Sequence, residues 1–345
     1  MAQTPRITHI DSLRGAAVLL MVMVHAAATW NPFHTPQPSI LAYTISGLGG
    51  LAAPLFVTLF GWGVVRHPFP LKQRLFQSGF LFATQIMVNL TSPHLFHPFT
   101  PGVLSLMALL TLLMPPFAAQ LKKSGSQFLV LIYIAVFTLQ WFFPEIQGTG
   151  GWNDRVSGES LPIFISNLFV TGTYPLFPWI LFASLGAIIS TQGDKVGAYI
   201  PNSMKIKISL VLGLAFCIIT FYISSKTDVL WAHPTSEAML TFFPANPAFI
   251  IAASTGVLLI WIAIQNLELH ALNSAGRMSL TLYIIHFIPL TLMQEYESTY
   301  QWSLTTSSIA VVAYALIWIP LSAQWLKRYP KATLEATLKA IRKSL

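Results

Sequence analysis

The stretch that decides the fold is RITHIDSLRGAAVLLMVMVHAAATWNP, residues 6–32, where a charged edge leads into an apolar run that contains a histidine. The apolar run is long enough for a transmembrane helix, which needs about 20 residues. Arg14 and His25 are eleven residues apart, so at about 100° per residue both side chains project from nearly the same face, roughly 16 Å apart. That face connects the membrane edge with the membrane interior.

The composition is that of a membrane protein. Hydrophobic residues make up 54% of the chain and charged residues only 9%, whereas about a quarter of an average soluble domain is charged. Mean hydropathy is +0.64. The net charge of +8 comes from cations scattered singly between apolar runs, so we expect no nucleic-acid partner. We therefore predict an all-α polytopic membrane protein that is embedded in the lipid bilayer.

Ten apolar segments approach the length that crosses a bilayer. They lie at residues 13–30, 45–65, 75–91, 101–119, 127–143, 174–191, 207–224, 246–266, 278–294 and 302–325. If the N-terminus is cytoplasmic, seventeen of the 19 Lys and Arg residues fall on the inner side, and only Arg155 and Lys226 fall outside. This positive-inside bias predicts about ten transmembrane helices with both termini cytoplasmic.

The chain divides into one membrane domain and a short tail. We assign residues 1–326 to the membrane domain and residues 327–345 to a basic amphipathic cytoplasmic tail, because apolar residues recur there at helical spacing with lysines opposite. Residues 161–172 are too short to span the bilayer, and we interpret them as a re-entrant or interfacial piece. The single cysteine, Cys217, excludes an intrachain disulfide and, with no targeting extension, favours a bacterial inner membrane.

Two histidines are predicted to lie inside the membrane. His25 is about 18 Å along its helix from the inner edge, and His286 is half-way along the ninth segment. An ionisable side chain in lipid costs several kcal/mol unless it faces a cavity or a partner, so both are functional candidates. The alternative for each is a neutral histidine in an interhelical hydrogen bond. Tyr283 and Thr281 are available as partners for His286.

Cations mark the inner ends of the same two segments. Arg14, with Asp11 one turn earlier, and Arg277, at the start of the ninth segment, are placed to hold a phosphate-bearing ligand. The alternative for Arg14 is a topology anchor that pairs locally with Asp11.

Outer-side residues give weaker signals. Trp30, Asn31 and His34 end or follow the first helix and are placed to bind a ligand from outside. His94 and His97 have a spacing that metal sites use, but prolines flank them and no cysteine or carboxylate is near, so we expect no metal. The chain contains no P-loop, G-x-S-x-G, H-E-x-x-H or dinucleotide fingerprint, which limits an enzyme to chemistry by membrane-embedded side chains.

The opening motif resembles that of a known superfamily. The spacing R-x4-D-x2-R-G-x9-H is formed by Arg6, Asp11, Arg14, Gly15 and His25. It resembles the first motif of the transmembrane acyltransferase superfamily, which includes the acyltransferase-3 proteins, the heparan-α-glucosaminide N-acetyltransferases and the YeiB-like proteins.

Later segments are similar to the heparan-type branch, in the same order. Residues 174–186, YPLFPWILFASLG, and 276–286, GRMSLTLYIIH, resemble two of its signatures. Residues 56–61, FVTLFG, depart from the acyltransferase-3 pattern FF-x-L-S-G, which favours the heparan-type or YeiB-like branch. The late G-P-x-E turn of the superfamily is represented only by residues 331–335, KATLE.

The resemblance implies an enzyme that moves an acyl group, with acetyl expected, from cytosolic acyl-CoA to a hydroxyl or amine acceptor. A carbohydrate on the extracytoplasmic side is the expected acceptor. His25 would act as general base or as a nucleophile that carries the acyl group, and we favour the base. His34 is a rival to His25, because the catalytic histidine of the heparan-type branch lies beyond the first helix. His286 is a second catalytic candidate.

The same resemblance assigns the ligands. The donor is acetyl-CoA or another acyl-CoA, and its binding residues are Asp11, Arg14, Arg277, Lys72 and Arg74. The acceptor is assigned to Trp30, Asn31 and Trp179. A homodimer is compatible with the sequence.

Two other classes of protein stay open. A secondary transporter or permease also places polar residues within the membrane, although it normally shows inverted repeats, which we do not find. A non-catalytic scaffold would tolerate the loss of Arg14 and His25 together. Binding of acyl-CoA separates the enzyme from both, because a coenzyme stabilises only a folded site that fits it.

Overall fold

The computed structural model of the chain describes residues 7–33, 37–148, 151–235, 237–267 and 269–345, and for Lys195 and Val196 only the backbone. These described residues are 76% helical with almost no sheet, which confirms the helical fold class. His34, one of the candidate catalytic residues, lies outside the described residues.

Helices follow one another along the whole chain. The first half contains α1 (Thr8–Thr29), α2 (Ile40–Gly50), α3 (Ala52–Arg66), α4 (Leu71–Thr91), α5 (Val103–Phe142), α6 (Trp152–Val156) and α7 (Leu161–Ser166). The second half contains α8 (Leu176–Gln192), α9 (Asp194–Gly197), α10 (Met204–Ser224), α11 (Pro247–Leu267), α12 (Asn273–Arg277), α13 (Ser279–Ile285), α14 (Phe287–Leu292), α15 (Tyr296–Tyr300), α16 (Leu304–Arg328) and α17 (Leu334–Ser344). Two short parallel strands, β1 (Leu230–His233) and β2 (Ala238–Thr241), lie between α10 and α11.

Within the described ranges, six helical units are long and apolar enough to cross a membrane, and eight if two bent pairs each count as one span. The six are α1, α2 with α3, α5, α10, α11 and α16. The bent pairs are Leu161–Thr171 with α8, at 47°, and His270–Arg277 with Ser279–Tyr300, at 71°. The count of ten spans and the cytoplasmic location of both termini therefore stay predictions.

Two helices account for part of the difference from ten. α4 is long enough but carries polar side chains into the interior, where Gln85 donates to Asn89 at 2.9 Å and Asn89 donates to the carbonyl oxygen of Thr100 at 2.9 Å. α5 contains 40 residues and includes most of two predicted spans, with a break at Gly125, whose φ is +61°. A 40-residue helix is about 60 Å long, twice the hydrocarbon thickness, so the break is where two spans would separate.

α1 is the helix around which the others assemble. It packs against α2, α3, α11, α12, α13 and α16. Its side chains Leu13, Val18 and Val22 are fully buried. Because neighbouring helices cover α1, the polar residues of its apolar segment face protein, and the cost of placing them in lipid is avoided.

The close packing of α1 against α12 depends on two glycines. A methyl group on Gly15 would collide with the carbonyl group of Leu272, and one on Gly276 would collide with the carbonyl group of Asp11. Backbone of α1 therefore faces a glycine of α12, and the backbone of Leu272, just before α12, faces a glycine of α1. This approach brings the start of α13 against α1.

We expect Gly276→Ala to destabilise the protein, because the added methyl group pushes α12 away from α1. Overpacking of this kind costs about 1–3 kcal/mol and is measured as a lower thermal unfolding midpoint in detergent. Gly47→Ala in α2 is the matched control, since nothing lies within 4 Å of a methyl group there. Equal midpoints for Gly276→Ala and the wild type would contradict the tight contact.

The C-terminal tail forms α17, which packs against α4 and α13. The guanidinium of Arg342 lies 3.8 Å from the ring centroid of Phe69 and donates to Gln77 Oε1 at 2.9 Å. The tail is therefore docked on the helix bundle. Its predicted position at the inner membrane surface stays a prediction.

Candidate active site

His25 and His286 meet inside the helix bundle. Nδ1 of His25 lies 2.9 Å from Nε2 of His286, and the two imidazole planes are 10° apart. His25 belongs to α1, and His286 is the C-cap of α13, 261 residues later. His286 is fully buried, whereas His25 is partly exposed. The sequence offers an interhelical hydrogen bond as the alternative to a functional role for each histidine. That hydrogen bond exists, and it joins the two candidate histidines to each other.

The carbonyl oxygen of Leu282 determines which nitrogen of each imidazole ring carries a proton. Nδ1 of His286 lies 3.0 Å from the carbonyl oxygen of Leu282, which can only accept, so Nδ1 is the donor. In a neutral His286, Nε2 then accepts, and Nδ1 of His25 donates in the bond between the rings. A neutral His25 therefore has an unprotonated Nε2. That nitrogen has no hydrogen-bond partner among the described residues and is not sealed from solvent.

Aromatic side chains hold the two rings in place. The ring centroid of Phe287 lies 4.5 Å from that of His25 and 4.1 Å from that of His286. The ring of Tyr283 lies 6.1 Å from both imidazoles. The Tyr314 hydroxyl donates to the carbonyl oxygen of His286 at 2.5 Å, which ties α16 to the end of α13. Three helices therefore fix the position of His286.

A third histidine lies beside the pair, in the loop after α4. His94 is close enough to His25 for their charges to interact. Its Nε2 lies 3.4 Å from the hydroxyl of Thr29, one turn after His25, and its Nδ1 lies 3.3 Å from the hydroxyl of Thr291. Burial lowers the pKa of His94 below its ordinary value. In the sequence, His94 stands out only through its spacing from His97. No local sequence pattern indicates that His94 lies close to His25.

Basic side chains gather at the other end of α1. Arg14 Nη1 lies 3.9 Å from Asp11 Oδ1, at the limit of an ion pair. His67, just after α3, is close enough to Arg66, Arg14 and Arg342 for their charges to act on it. Burial, and then these three cations, lower the pKa of His67. We call Arg14, Arg66, His67 and Arg342 the basic cluster.

A match to one protein family covers most of the chain. A family model described as an acyltransferase domain, that of acyltransferase-3, matches residues 7–323. The chain belongs to the acyltransferase-3 family. No curated protein matches it. The family and the apolar helices make this chain an integral, multi-pass membrane protein, and the match confirms the resemblance seen in the opening motif.

The other candidate donor-binding residues of this acyltransferase are spread over several helices. Arg277 is exposed, and its neighbour Gly276 packs against α1. Lys72 is exposed in the first turn of α4. Arg74 is directed at α5, with Nη1 3.4 Å from the carbonyl oxygen of Leu112. The structure thus brings Arg14 together with Arg66, His67 and Arg342, and directs Arg74 elsewhere.

The candidate acceptor-binding residues lie in different surroundings. Trp30 is buried, and its indole N–H donates to the carbonyl oxygen of Met293 at 2.9 Å. Trp179 is fully buried, with its ring 4.9 Å from that of Tyr174. Asn31 is exposed and accepts a hydrogen bond within its own loop. Both tryptophans therefore pack in the core of the acyltransferase, and Asn31 faces solvent.

The segment between α5 and α8 lines a half-open cavity of about 160 Å³. Arg155 lines it, is 3% exposed, and donates to the carbonyl oxygens of Gln147, Gly148 and Thr171. Neither His25 nor His286 lines this cavity. The acyltransferase thus has a cavity separate from the histidine pair, and the Arg155 guanidinium joins three backbone carbonyls at its wall.

Proposed function

We propose that this acyltransferase moves an acyl group, with acetyl as the expected one, from cytoplasmic acyl-CoA to a hydroxyl or amine acceptor on the extracytoplasmic side. The expected acceptor is a carbohydrate. The observation that carries the proposal is the hydrogen-bonded pair His25 and His286, which leaves one imidazole nitrogen unprotonated and open. The family supplies the reaction class, and the pair supplies the base that the reaction needs.

His25 acts as the general base. Its Nε2 takes the proton of the acceptor hydroxyl or amine while the acceptor oxygen or nitrogen attacks the carbonyl carbon of the thioester. The tetrahedral intermediate then collapses with cleavage of the carbon–sulfur bond. The imidazolium returns the proton to the coenzyme thiolate, so the products are the acylated acceptor and free coenzyme. No acyl group is carried by the protein.

His286 orients the base. It accepts from Nδ1 of His25, and this bond strengthens when His25 becomes positively charged during proton transfer. Leu282 anchors the other side of the His286 ring through its carbonyl oxygen. The arrangement follows the logic by which a third group fixes the tautomer of a catalytic histidine, although a neutral imidazole offers less charge stabilisation than a carboxylate.

The basic cluster is the proposed site for the coenzyme phosphates. Arginine matches phosphate oxygens with a fixed fork of N–H groups, and the cluster brings together Arg14, Arg66 and Arg342. From Arg14 the pantetheine arm would extend along α1 toward His25, roughly 16 Å further along the axis. The acceptor would approach from the other side of the pair, where His94 lies.

The proposal is tested first by donor binding. We expect acetyl-CoA to stabilise the purified protein and so raise its thermal unfolding midpoint. At an acetyl-CoA concentration a hundred times Kd, the free energy of unfolding should increase by about 2.7 kcal/mol. Arg14→Gln should weaken this binding at least tenfold, because hydrogen bonds to charged groups contribute about 1.5–3 kcal/mol and about 1.4 kcal/mol is a factor of ten. Arg328→Gln, at the exposed end of α16, is the control and should bind normally.

Transfer is then measured in proteoliposomes that contain glucosamine or glucose as probe acceptors. Radiolabelled acetyl-CoA is added on the cytoplasmic face, and the label should appear in the enclosed acceptor together with an equal amount of free thiol. A protein that binds no acetyl-CoA and instead accumulates a solute inside the vesicles would support the transporter alternative.

A further inference from the structure

α13 begins at a sharp bend and lacks a cap of its own. The chain bends by 71° between His270–Arg277 and Ser279–Tyr300. Within the described chain, the side chain of Met278 at the N-cap position makes no capping hydrogen bond. The first N–H groups of a helix have no partners inside it, and a helix of seven residues has few hydrogen bonds of its own. The direction of α13 must therefore be fixed from outside.

Glu335, in the first turn of α17, supplies the missing cap. Its Oε1 accepts from the backbone N–H groups of Leu280, at 2.6 Å, and Thr281, at 3.3 Å. Its Oε2 accepts from the Thr281 hydroxyl at 2.7 Å, and the same hydroxyl oxygen accepts from the backbone N–H of Leu334 at 2.8 Å. We call these four hydrogen bonds the Glu335 clamp. They join the first turns of two helices that are distant in sequence.

α17 is anchored independently of the clamp. Just before its start, the carbonyl oxygen of Ala332 accepts from the indole N–H of Trp325 in α16 at 3.0 Å. Near its other end, Arg342 stacks on Phe69 and donates to Gln77. Because both ends of α17 are held, the Glu335 carboxylate is attached to a fixed support.

The clamp and the active site are at opposite ends of α13. His286 follows Leu280 by six residues, about 9 Å along a helix. A tilt of 10° about the Leu280 end would move His286 by about 1.6 Å, enough to break a hydrogen bond whose donor and acceptor are 2.9 Å apart. The bond that fixes the tautomer of His25 is therefore sensitive to how the start of α13 is held.

We propose that Glu335 is a positioning residue, which by capping α13 holds His286 at hydrogen-bond distance from His25. The inference rests on the proposed function, because it concerns the same histidine pair. It gives residues 331–335, KATLE, a role where the sequence departs from the G-P-x-E turn. Glu335 contacts neither histidine and acts only through α13.

Two substitutions of Glu335 distinguish the effect of its capping hydrogen bonds from the effect of its negative charge. Burial raises the pKa of the Glu335 carboxyl above its usual value, and the hydrogen bonds from Thr281 and the backbone act in the opposite direction. Glu335→Gln keeps an oxygen that accepts from Leu280 and Thr281, and its amide N–H can donate to the Thr281 hydroxyl. Glu335→Ala removes the cap. Lys339→Ala, an exposed change in the same helix, is the matched control.

The experiment measures kcat and KM for acetyl-CoA with glucosamine as probe acceptor. We expect Glu335→Ala to lower kcat about tenfold or more with KM within about twofold, because it misplaces the base without touching the donor site. Glu335→Gln should stay within about threefold of wild type, and Lys339→Ala should equal it. In a His286→Ala background, adding Glu335→Ala should change kcat no further, since residues that act as a unit are not additive.

Hydrogen exchange of the peptide 279–286 gives a readout that does not depend on activity. It should rise in Glu335→Ala and stay low in Glu335→Gln. Wild-type kcat in Glu335→Ala would overturn the inference, and so would an equal loss in the presence and absence of His286. A wild-type protein that transfers no acetyl group would instead contradict the proposed function, and the exchange of peptide 279–286 would still test whether the clamp holds α13.

Discussion

His25→Ala is expected to reduce acetyl transfer from acetyl-CoA to a small residual rate and to leave the protein folded. A positioned general base contributes about a hundredfold to ten-thousandfold to a rate, and this variant loses the only nitrogen of the pair that is unprotonated and open. It also leaves Nε2 of the buried His286 without its donor, which costs about 1–3 kcal/mol of stability. The measurement is label transfer to glucosamine in proteoliposomes, beside the thermal unfolding midpoint with and without acetyl-CoA.

Two further histidine variants make that result specific. His270→Ala changes an exposed histidine near the start of α12 and should transfer normally. His34→Ala tests the rival that the sequence offers, and we expect it to keep transfer. If His25→Ala keeps acetyl transfer and His34→Ala loses it, the general base is His34, in the segment after α1, and not His25.

A labelling experiment on wild type and His25→Ala distinguishes a general base from a nucleophile at His25. If His25 is a base, brief mixing with labelled acetyl-CoA without acceptor leaves no acid-stable or acid-labile label on the chain. Label that appears in wild type and disappears in His25→Ala would show that the acyl group is carried by the histidine.

Much of the fold follows from local sequence features. The low share of charged residues and the apolar segments predict a helical membrane protein, because backbone groups in lipid must be satisfied within helices. The exact span count does not follow in this way. The polar residues of α4 lower its hydropathy although they are paired inside the bundle, and α5 joins two predicted spans through a break at Gly125. Hydropathy depends only on composition. The pairing of polar residues in α4 and the break in α5 depend on the contacts that each residue makes in the folded protein.

The candidate site is predicted in part. The spacing of Arg14 and His25 on one face, and the cation followed by a histidine in the ninth segment, single out both members of the pair. Their hydrogen bond joins residues 261 positions apart, and no periodicity within one helix encodes such a contact. The same reason hides the contacts that Arg342 and Glu335 make with the helix bundle, which form because α17 folds back on it.

His286→Ala is expected to lower kcat by about a hundredfold with little change in KM for acetyl-CoA. The loss is smaller than the ten-thousandfold seen when a carboxylate that orients a catalytic histidine is replaced by an amide, because His286 accepts a hydrogen bond as a neutral ring. His286→Gln should recover part of the rate, since its side-chain oxygen can accept from Nδ1 of His25. The measurement is steady-state transfer at saturating acceptor, with binding of acetyl-CoA followed separately.

The double variant His25→Ala with His286→Ala shows whether the pair acts as one unit. Once the base is gone, a residue that only orients it has nothing left to orient, so the double variant should transfer no more slowly than His25→Ala alone. If each substitution instead lowers the rate by its full separate factor, His286 contacts the reacting groups itself. The residual rate of the double variant therefore decides whether one histidine or two carry the chemistry.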